Sequence, residues 1–288
     1  MRRMIRWVDA EDLVYLGVEL RKTDEFEEVV DDVAPLDLLL GERVELGKTV
    51  ALADEETLEL PPHRLLIAPI DPPEVWCAGV TYERSRDARM DESAVGDVYA
   101  LVYGAARPEL FLKDAGCRRT VGPGEQIGIR ADSTWNVPEP EIGLVLGERG
   151  KIIGYTIGND VSSRDIEGAN PLYLSQAKVY AGACAIGPSV YAPRRKPRHF
   201  QITMRVVEPD GRVVYAGSTT TERMTRSFED LAAWLVRDNP VPPGSILLTG
   251  TGLVPPDGFT LVPGQWVEIS VPEIGTLVNQ VVIASDLL

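Results

Sequence analysis

Histidine is almost missing from this chain. Its 288 residues contain only His63 and His199. His63 follows the proline pair Pro61-Pro62, and His199 ends the basic loop that starts at Arg194. Neither lies near a nucleophile signature such as GxSxG, and both are expected at the surface. That speaks against a histidine-based triad and against histidine-held zinc. Cysteine is nearly as rare. Cys77, Cys117 and Cys184 are odd in number, far apart and without CxxC spacing. A zinc ribbon or a redox motif is therefore not expected, and a reducing compartment is the default. No run of about 18 apolar residues is present, so no membrane-spanning helix is expected. The N-terminal arginines lead into Asp9, Glu11 and Asp12 rather than an apolar stretch, which does not read as a signal peptide. A cytoplasmic protein is the expectation. Positive charge is also in deficit. Twenty-nine Lys and Arg face 44 Asp and Glu, for a net charge of −15. Nucleic acids and anionic membranes are poor partners for such a chain, whereas a small anionic substrate depends on the local field of its pocket.

The rest of the composition is ordinary, with 44% hydrophobic and 25% charged residues. A chain of this length buries about three quarters of its unfolded surface and needs no covalent staple. Alternation over Val14–Leu20 marks a strand, and Pro35–Leu40 marks a short helix. The proline pairs 61–62 and 72–73 suggest a boundary. The expected units are a small N-terminal α/β domain over 1–72 and a mixed-β domain over 73–288. Residues 82–106 are helix-prone, and from Leu110 short strands alternate with Gly/Pro turns. Ser227 is the expected N-cap of one clear later helix, and Pro209-Asp210-Gly211 is a hairpin turn. Without regular βα alternation the fold class is α+β, mostly β.

The carboxylates carry the chemical signal. In Pro138-Glu139-Pro140-Glu141-Ile142-Gly143-Leu144, period two puts Glu139 and Glu141 on one face and an apolar set on the other, which is expected to be buried. Taken alone, the pair reads as two solvated glutamates at a strand start. The segment Gly154–Asp165 ends in a polar cluster, and an antiparallel neighbour would bring Asp160 beside the pair. Three carboxylates without histidine form a hard oxygen site suited to Mg²⁺ or Mn²⁺. Lys178 lies in an otherwise small and apolar stretch, as a snorkelling or a buried functional amine. Glu109 and Lys113, four apart on a strand, share a face. The turn Thr249-Gly250-Thr251-Gly252 offers N–H groups and hydroxyls to an anion, although no Walker lysine follows it.

Taken in order, RPELFLK (107–113), PEPEIGLVLG (138–147), GYTIGNDVSSRD (154–165), AKVYAGACAIGP (177–188), LLTGTG (247–252) and VPEIGTLVN (271–279) resemble the fumarylacetoacetate hydrolase family over about 74–285. The resemblance implies a mixed β-sandwich roll, dimeric or tetrameric. It implies Mg²⁺ on Glu139, Glu141 and Asp160, with Mn²⁺ or Ca²⁺ as substitutes. It also implies an active-site lysine at Lys178 and a substrate-carboxylate contact at Thr251. Hydrolases of the family carry a histidine and a glutamate that activate water after a conserved tyrosine. Here Tyr82 is followed at those positions by Ser85 and Ala88. Segments 74–89, 132–141 and 169–188 instead look like the branch that dehydrates 2-keto-3-deoxy-D-arabinonate to 2,5-dioxopentanoate. In that reading Glu109 and Lys178 move protons. Arg86, Lys113 and Thr251 hold a small anionic 2-keto acid, and 82–106 closes over it. The alternatives are a Mg²⁺-dependent C–C hydrolase or decarboxylase of acylpyruvates, told apart by its products, and a non-catalytic binding member, told apart by lack of metal.

Overall fold

The strand signals condense into two large sheets facing one another. A computed structural model describes residues 2–20, 25–51, 59–60, 64–92 and 97–288. His63, Pro61-Pro62 and residues 93–96 of the helix-prone stretch lie outside them. The first third forms β1 (Arg3–Val8), β2 (Val14–Glu19), β3 (Glu25–Val29), α1 (Pro35–Leu40), β4 (Leu46–Ala51), β5 (Glu59–Leu60), β6 (Arg64–Ile67) and β7 (Glu74–Gly79). Next come α2 (Glu83–Glu92), α3 (Asp97–Gly104), β8 (Glu109–Ala115), β9 (Thr120–Val121), β10 (Gln126–Ile129), β11 (Asn136–Val137), β12 (Pro140–Leu146) and β13 (Ile152–Asp160). Then follow β14 (Ser162–Ser163), α4 (Arg164–Ala169), α5 (Leu174–Lys178), β15 (Cys184–Tyr191), β16 (Gln201–Val207) and β17 (Val213–Thr220). The chain ends with α6 (Phe228–Leu235), β18 (Ile246–Leu248), β19 (Trp266–Val271) and β20 (Gly275–Ile283).

Among the described residues, the larger sheet runs β4-β3-β2-β1-β15-β13-β12-β18-β7-β8, and the smaller runs β10-β20-β19-β16-β17. Hydrogen bonding crosses the expected 72/73 boundary, because β1 pairs with β15. The mixed, strand-rich fold class agrees with the sequence reading.

The two faces of β12 explain why its residues are all buried. Ile142, Leu144 and Leu146 pack against Ile202, Met204 and Ile269 of the smaller sheet and against Phe228 and Leu231 of α6. Val145 belongs to a second cluster with Met4, Val18 and Leu38. The parity predicted from sequence is therefore correct, but the glutamate face is covered as well. Leu38 of α1 packs at the Val145 end of that face, and it lies too far away in sequence for local pattern to reveal.

Local chemistry sets the ends of the elements. Gly211, at φ +86°, allows the tight turn between β16 and β17. The Ser227 hydroxyl accepts from the Asp230 N–H at 3.1 Å and caps α6. By contrast Glu83, Arg84 and Asp87 of α2 are exposed, and Ser85 turns inward. Such a helix fits as a cover and not as a core element. Ser227→Ala should destabilise the protein by about 1 kcal/mol, a fall in Tm of roughly 2–4 °C. Calorimetry checks this, and an unchanged Tm would mean that α6 does not depend on its cap.

Candidate metal and active site

Five neighbouring strands of the larger sheet end at one edge and line up a row of functional groups. The Asp160 N–H donates to the Glu139 carbonyl at 3.0 Å, where β13 runs antiparallel to β12. Gly143 of β12 faces Leu248 of β18. Two residues further along, Glu141 meets Gly250, whose N–H donates to Glu141 Oε2 at 2.6 Å. β18 runs parallel to β7, with Leu248 beside Cys77, which brings Gly250 near Gly79. Gly79 then pairs with Glu109 at the start of β8. Register alone therefore orders Asp160, Glu139, Glu141, Gly250, Gly79 and Glu109 across the sheet.

Two glycines make this row possible. A Cβ on Gly79 would lie 2.0 Å from Glu109 Oε2, so the Glu109 carboxylate occupies the space that a side chain would take. Gly250 has φ +90°, and a Cβ there would come within 2.1 Å of Thr81 Oγ1. Val80 also takes a positive φ, +53°, a conformation costly for a β-branched residue and most often kept near a site.

Glu139, Glu141 and Asp160 are 3%, 2% and 2% exposed. Each offers one oxygen within 4.8 Å of the others. They are not solvated, and cations surround them. Lys178 Nζ donates to Glu139 Oε2 at 2.6 Å, Asp160 Oδ2 at 3.1 Å and Ser162 Oγ at 2.5 Å. Arg164 Nη2 donates to Glu139 Oε1 at 2.8 Å. Lys113 forms an ion pair with Asp160 Oδ1 and donates to the carbonyl of Val161, at 3.1 Å, and to that of Lys178. Glu141 takes a backbone N–H where the other two take cations. Burial and then the negative charges of Asp160 and Glu139 push its carboxyl well above the usual carboxylate range. Three hard oxygen donors, with Glu141 bonded to a backbone N–H where the other two meet cations, suit a divalent cation such as Mg²⁺, Mn²⁺ or Ca²⁺.

The cavity around this row is lined by Ala78, Gly79, Val80, Ser85, Glu109, Phe111, the three carboxylates, Glu167, Lys178, Gly250 and Thr251. About 20 Å³ of it is free, which holds a water-sized body but not a five-carbon acid. No histidine is among these described lining residues, and His199 is exposed elsewhere.

Several residues are placed differently from expectation. Lys178 comes from an apolar stretch of sequence, but its ammonium lies among two carboxylates and a hydroxyl, with the Phe111 ring 5.9 Å away. Lys113 is fully buried and is not among the lining residues. A bulge explains its position: Trp76 pairs with Leu112 and Val75 with Asp114, which leaves Lys113 unmatched and aimed behind Asp160. Arg86 is also away from the lining. It pairs with Asp87 and Glu83 and stacks over Tyr103 at 4.6 Å, joining α2 to α3. Thr251 lines the cavity while its hydroxyl bonds within its own turn to Leu253. Ser85, at the position where hydrolytic relatives carry histidine, is buried in the wall. Sequence reading missed Ser162, Arg164 and Glu167 as parts of the site. The available signal was helical spacing, since Arg164 and Glu167 stand three apart on α4 and are both buried.

The geometry agrees with comparisons to known proteins. Residues 74–282 match the fumarylacetoacetate (FAA) hydrolase C-terminal family model. A probable 2-keto-3-deoxyxylonate dehydratase of Haloferax volcanii is 52% identical over 215 residues, 74% of this chain and 73% of that protein. The 2-dehydro-3-deoxy-D-arabinonate dehydratase of Saccharolobus solfataricus is 47% identical over 219 residues, with the same shares. A solved structure of 2-keto-3-deoxy-D-arabinonate dehydratase, complexed with magnesium and 2,5-dioxopentanoate, superposes with a TM-score of 0.84 at 37% identity. It covers 97% of this chain and 98% of that one. With its matched segment spanning the whole row of strand ends, the chain belongs to the fumarylacetoacetate hydrolase family.

Proposed function

We propose that this protein is a magnesium-dependent dehydratase that converts 2-keto-3-deoxy-D-arabinonate, the same compound as 2-keto-3-deoxy-D-xylonate, into 2,5-dioxopentanoate. One observation carries the reading: a carboxylate–lysine cavity without histidine in its described lining. Such a site can move protons but lacks the imidazole–carboxylate pair used to activate water. The two dehydratase relatives and the product-bound dehydratase structure support the same choice. Acylpyruvate hydrolysis is the reading it displaces.

Glu139, Glu141 and Asp160 would hold the Mg²⁺ ion. When bound, the ion supplies positive charge that favours loss of a proton beside a keto group. Lys178 Nζ donates to two carboxylates and a hydroxyl, which suits it to donate to the departing C4 hydroxyl. Glu109, held over Gly79, suits acceptance of the C3 proton. Loss of that proton and of the C4 hydroxyl as water leaves a C3–C4 double bond. Removal of a C5 proton and return of one to C3 then give the C4–C5 enol, which becomes the aldehyde as C4 takes up a proton and the C5 hydroxyl releases one. Thr251 and its turn face the anionic end of the substrate. Lys113 and Arg164 position Asp160 and Glu139, and Arg86 braces the cover. Every lining residue falls between 78 and 251, inside the proposed 73–288 unit. No helix among the described residues is long and apolar enough to cross a membrane. The proposed setting is the cytoplasm, as a homodimer or homotetramer.

The reaction is tested by incubating the protein and Mg²⁺ with 2-keto-3-deoxy-D-pentonate in D₂O. The expected product is lighter by one water and deuterated at C3. Pyruvate plus a second fragment would overturn the reading.

The charge arrangement makes two further predictions. Lys113→Met leaves Asp160 short of a buried partner and should destabilise the metal-free protein by about 3–5 kcal/mol. Urea denaturation measures it, and a loss under about 1 kcal/mol would refute a structural role for this pair. Glu141 has its folded pKa raised above the unfolded value of about 4.5. The folded metal-free chain therefore holds a proton that the unfolded chain has released. The associated stability is complete below about pH 4.5 and is lost as pH rises through the raised value. Metal binding displaces that proton, so the gain in Tm on adding Mg²⁺ should grow with pH. Glu141→Gln should flatten the pH dependence of the metal-free protein, and an unchanged slope would assign it to other groups.

A further inference from the structure

The two-helix cover leaves the sheet after β7 and returns to it at β8, and both of its feet meet one short segment outside the cavity. At the entry, Tyr82 forms an antiparallel bridge with Met224. The Thr225 N–H and hydroxyl both donate to the Thr81 carbonyl, at 3.0 and 3.2 Å. At the exit, Arg226 Nη1 donates to the Ala106 carbonyl at 3.1 Å, and Nη2 donates to the Ala105 carbonyl. Asp230 Oδ2 holds the same guanidinium at 2.9 Å. Just beyond, Arg107 stacks on Trp234 of α6 at 4.7 Å.

These feet adjoin the reacting groups. Thr81 Oγ1 donates to the Thr249 carbonyl at 2.7 Å, next to the glycine whose N–H binds Glu141. Ala106 precedes Glu109 by three residues, and Ser85 of α2 forms part of the cavity wall. None of Met224, Thr225 and Arg226 lines the cavity.

We propose that Arg226 is a positioning residue for the dehydration: it clamps the exit of the cover while Met224 and Thr225 hold its entry, so that cover and Glu109 keep one arrangement. The kinetic part rests on the proposed function above. The Ala105 and Ala106 carbonyls lie just past the end of α3, beside the negative pole of its dipole. An arginine fork meets two such carbonyls at once, which a lysine cannot do. Ser85 of α2 forms part of the wall of a cavity with room for about one water, so the position of α2 bears on substrate entry. Releasing one foot lowers the competent fraction, and apparent affinity falls by the same factor.

The test compares the full-length wild type with Arg226→Ala and Arg226→Lys. Tryptic cleavage within 83–104 is followed in Mg²⁺-loaded protein without substrate. Kinetics are measured on 2-keto-3-deoxy-D-pentonate, and Mg²⁺ binding by titration. Arg226→Ala should speed cleavage and raise KM, each by about tenfold, with a smaller fall in kcat. Arg226→Lys should fall between it and wild type, and Mg²⁺ affinity should stay within about twofold, as no metal-site group is touched. Unchanged cleavage and kinetics would overturn the proposal. So would a loss of Mg²⁺ affinity parallel to the loss of activity, which would mean general loosening. Should the alanine variant not fold, Arg226→Gln and Arg226→Lys carry the same comparison. The cleavage arm does not depend on the reaction. A wild type that fails to dehydrate the acid, alongside faster cleavage of the variant, would sink the proposed function and keep the clamp. A wild type that dehydrates it, with no change in the variant, would do the reverse.

Discussion

Three carboxylates held within 4.8 Å of one another and shut away from water are the constraint around which this protein is arranged. Burying even one such charge without a partner costs several kcal/mol. The fold meets that demand with Lys178, Lys113 and Arg164, drawn from α5, β8 and α4. The balance is uneven. Glu139 and Asp160 have direct cation contacts, whereas Glu141 has the Gly250 N–H and a raised carboxyl pKa. A site with its deficit concentrated on one carboxylate is prepared for a divalent cation, and the same cations keep the apo fold from flying apart.

Sheet register does the positioning. Glu139, Glu141, Asp160, Gly250, Gly79 and Glu109 come from five strands widely separated in sequence, and each is set by pairing with the next. Side chains on strand ends are held more firmly than side chains on loops, which suits proton transfer at fixed places in a cavity. The bulge at Lys113 follows the same logic: one extra residue turns a cation behind Asp160 instead of into the cavity.

Much of this was legible in the sequence, for identifiable reasons. Period two separated Glu139 and Glu141 from Ile142 and Leu144, and an antiparallel neighbour was enough to bring Asp160 to them. The capping of α6 by Ser227 and the turn at Gly211 are local and were read locally. Burial of Glu139 and Glu141 was not legible, because the groups packed around them, among them Phe111, Glu167 and Lys178, come from separate elements. Strand periodicity takes no account of a bulge, so it points Lys113 at the substrate, whereas the bulge turns it behind Asp160. Arg86 carries a charge at the right distance along the chain, but its guanidinium is taken up by Asp87, Glu83 and Tyr103. Ser162 and Glu167 went unnoticed since a serine after a strand and a glutamate on a short helix look ordinary until the fold brings them to the cavity.

Family membership narrows the chemistry to a metal site of this type, and the residues around it narrow it to proton movement. If the three carboxylates act together as one cation site, electron paramagnetic resonance of chelator-treated protein titrated with Mn²⁺ should find one bound Mn²⁺ per chain in the wild type and none at equal concentration in Glu139→Gln or Asp160→Asn. Equal Mn²⁺ binding by the wild type and both variants would show that these carboxylates do not form the cation site.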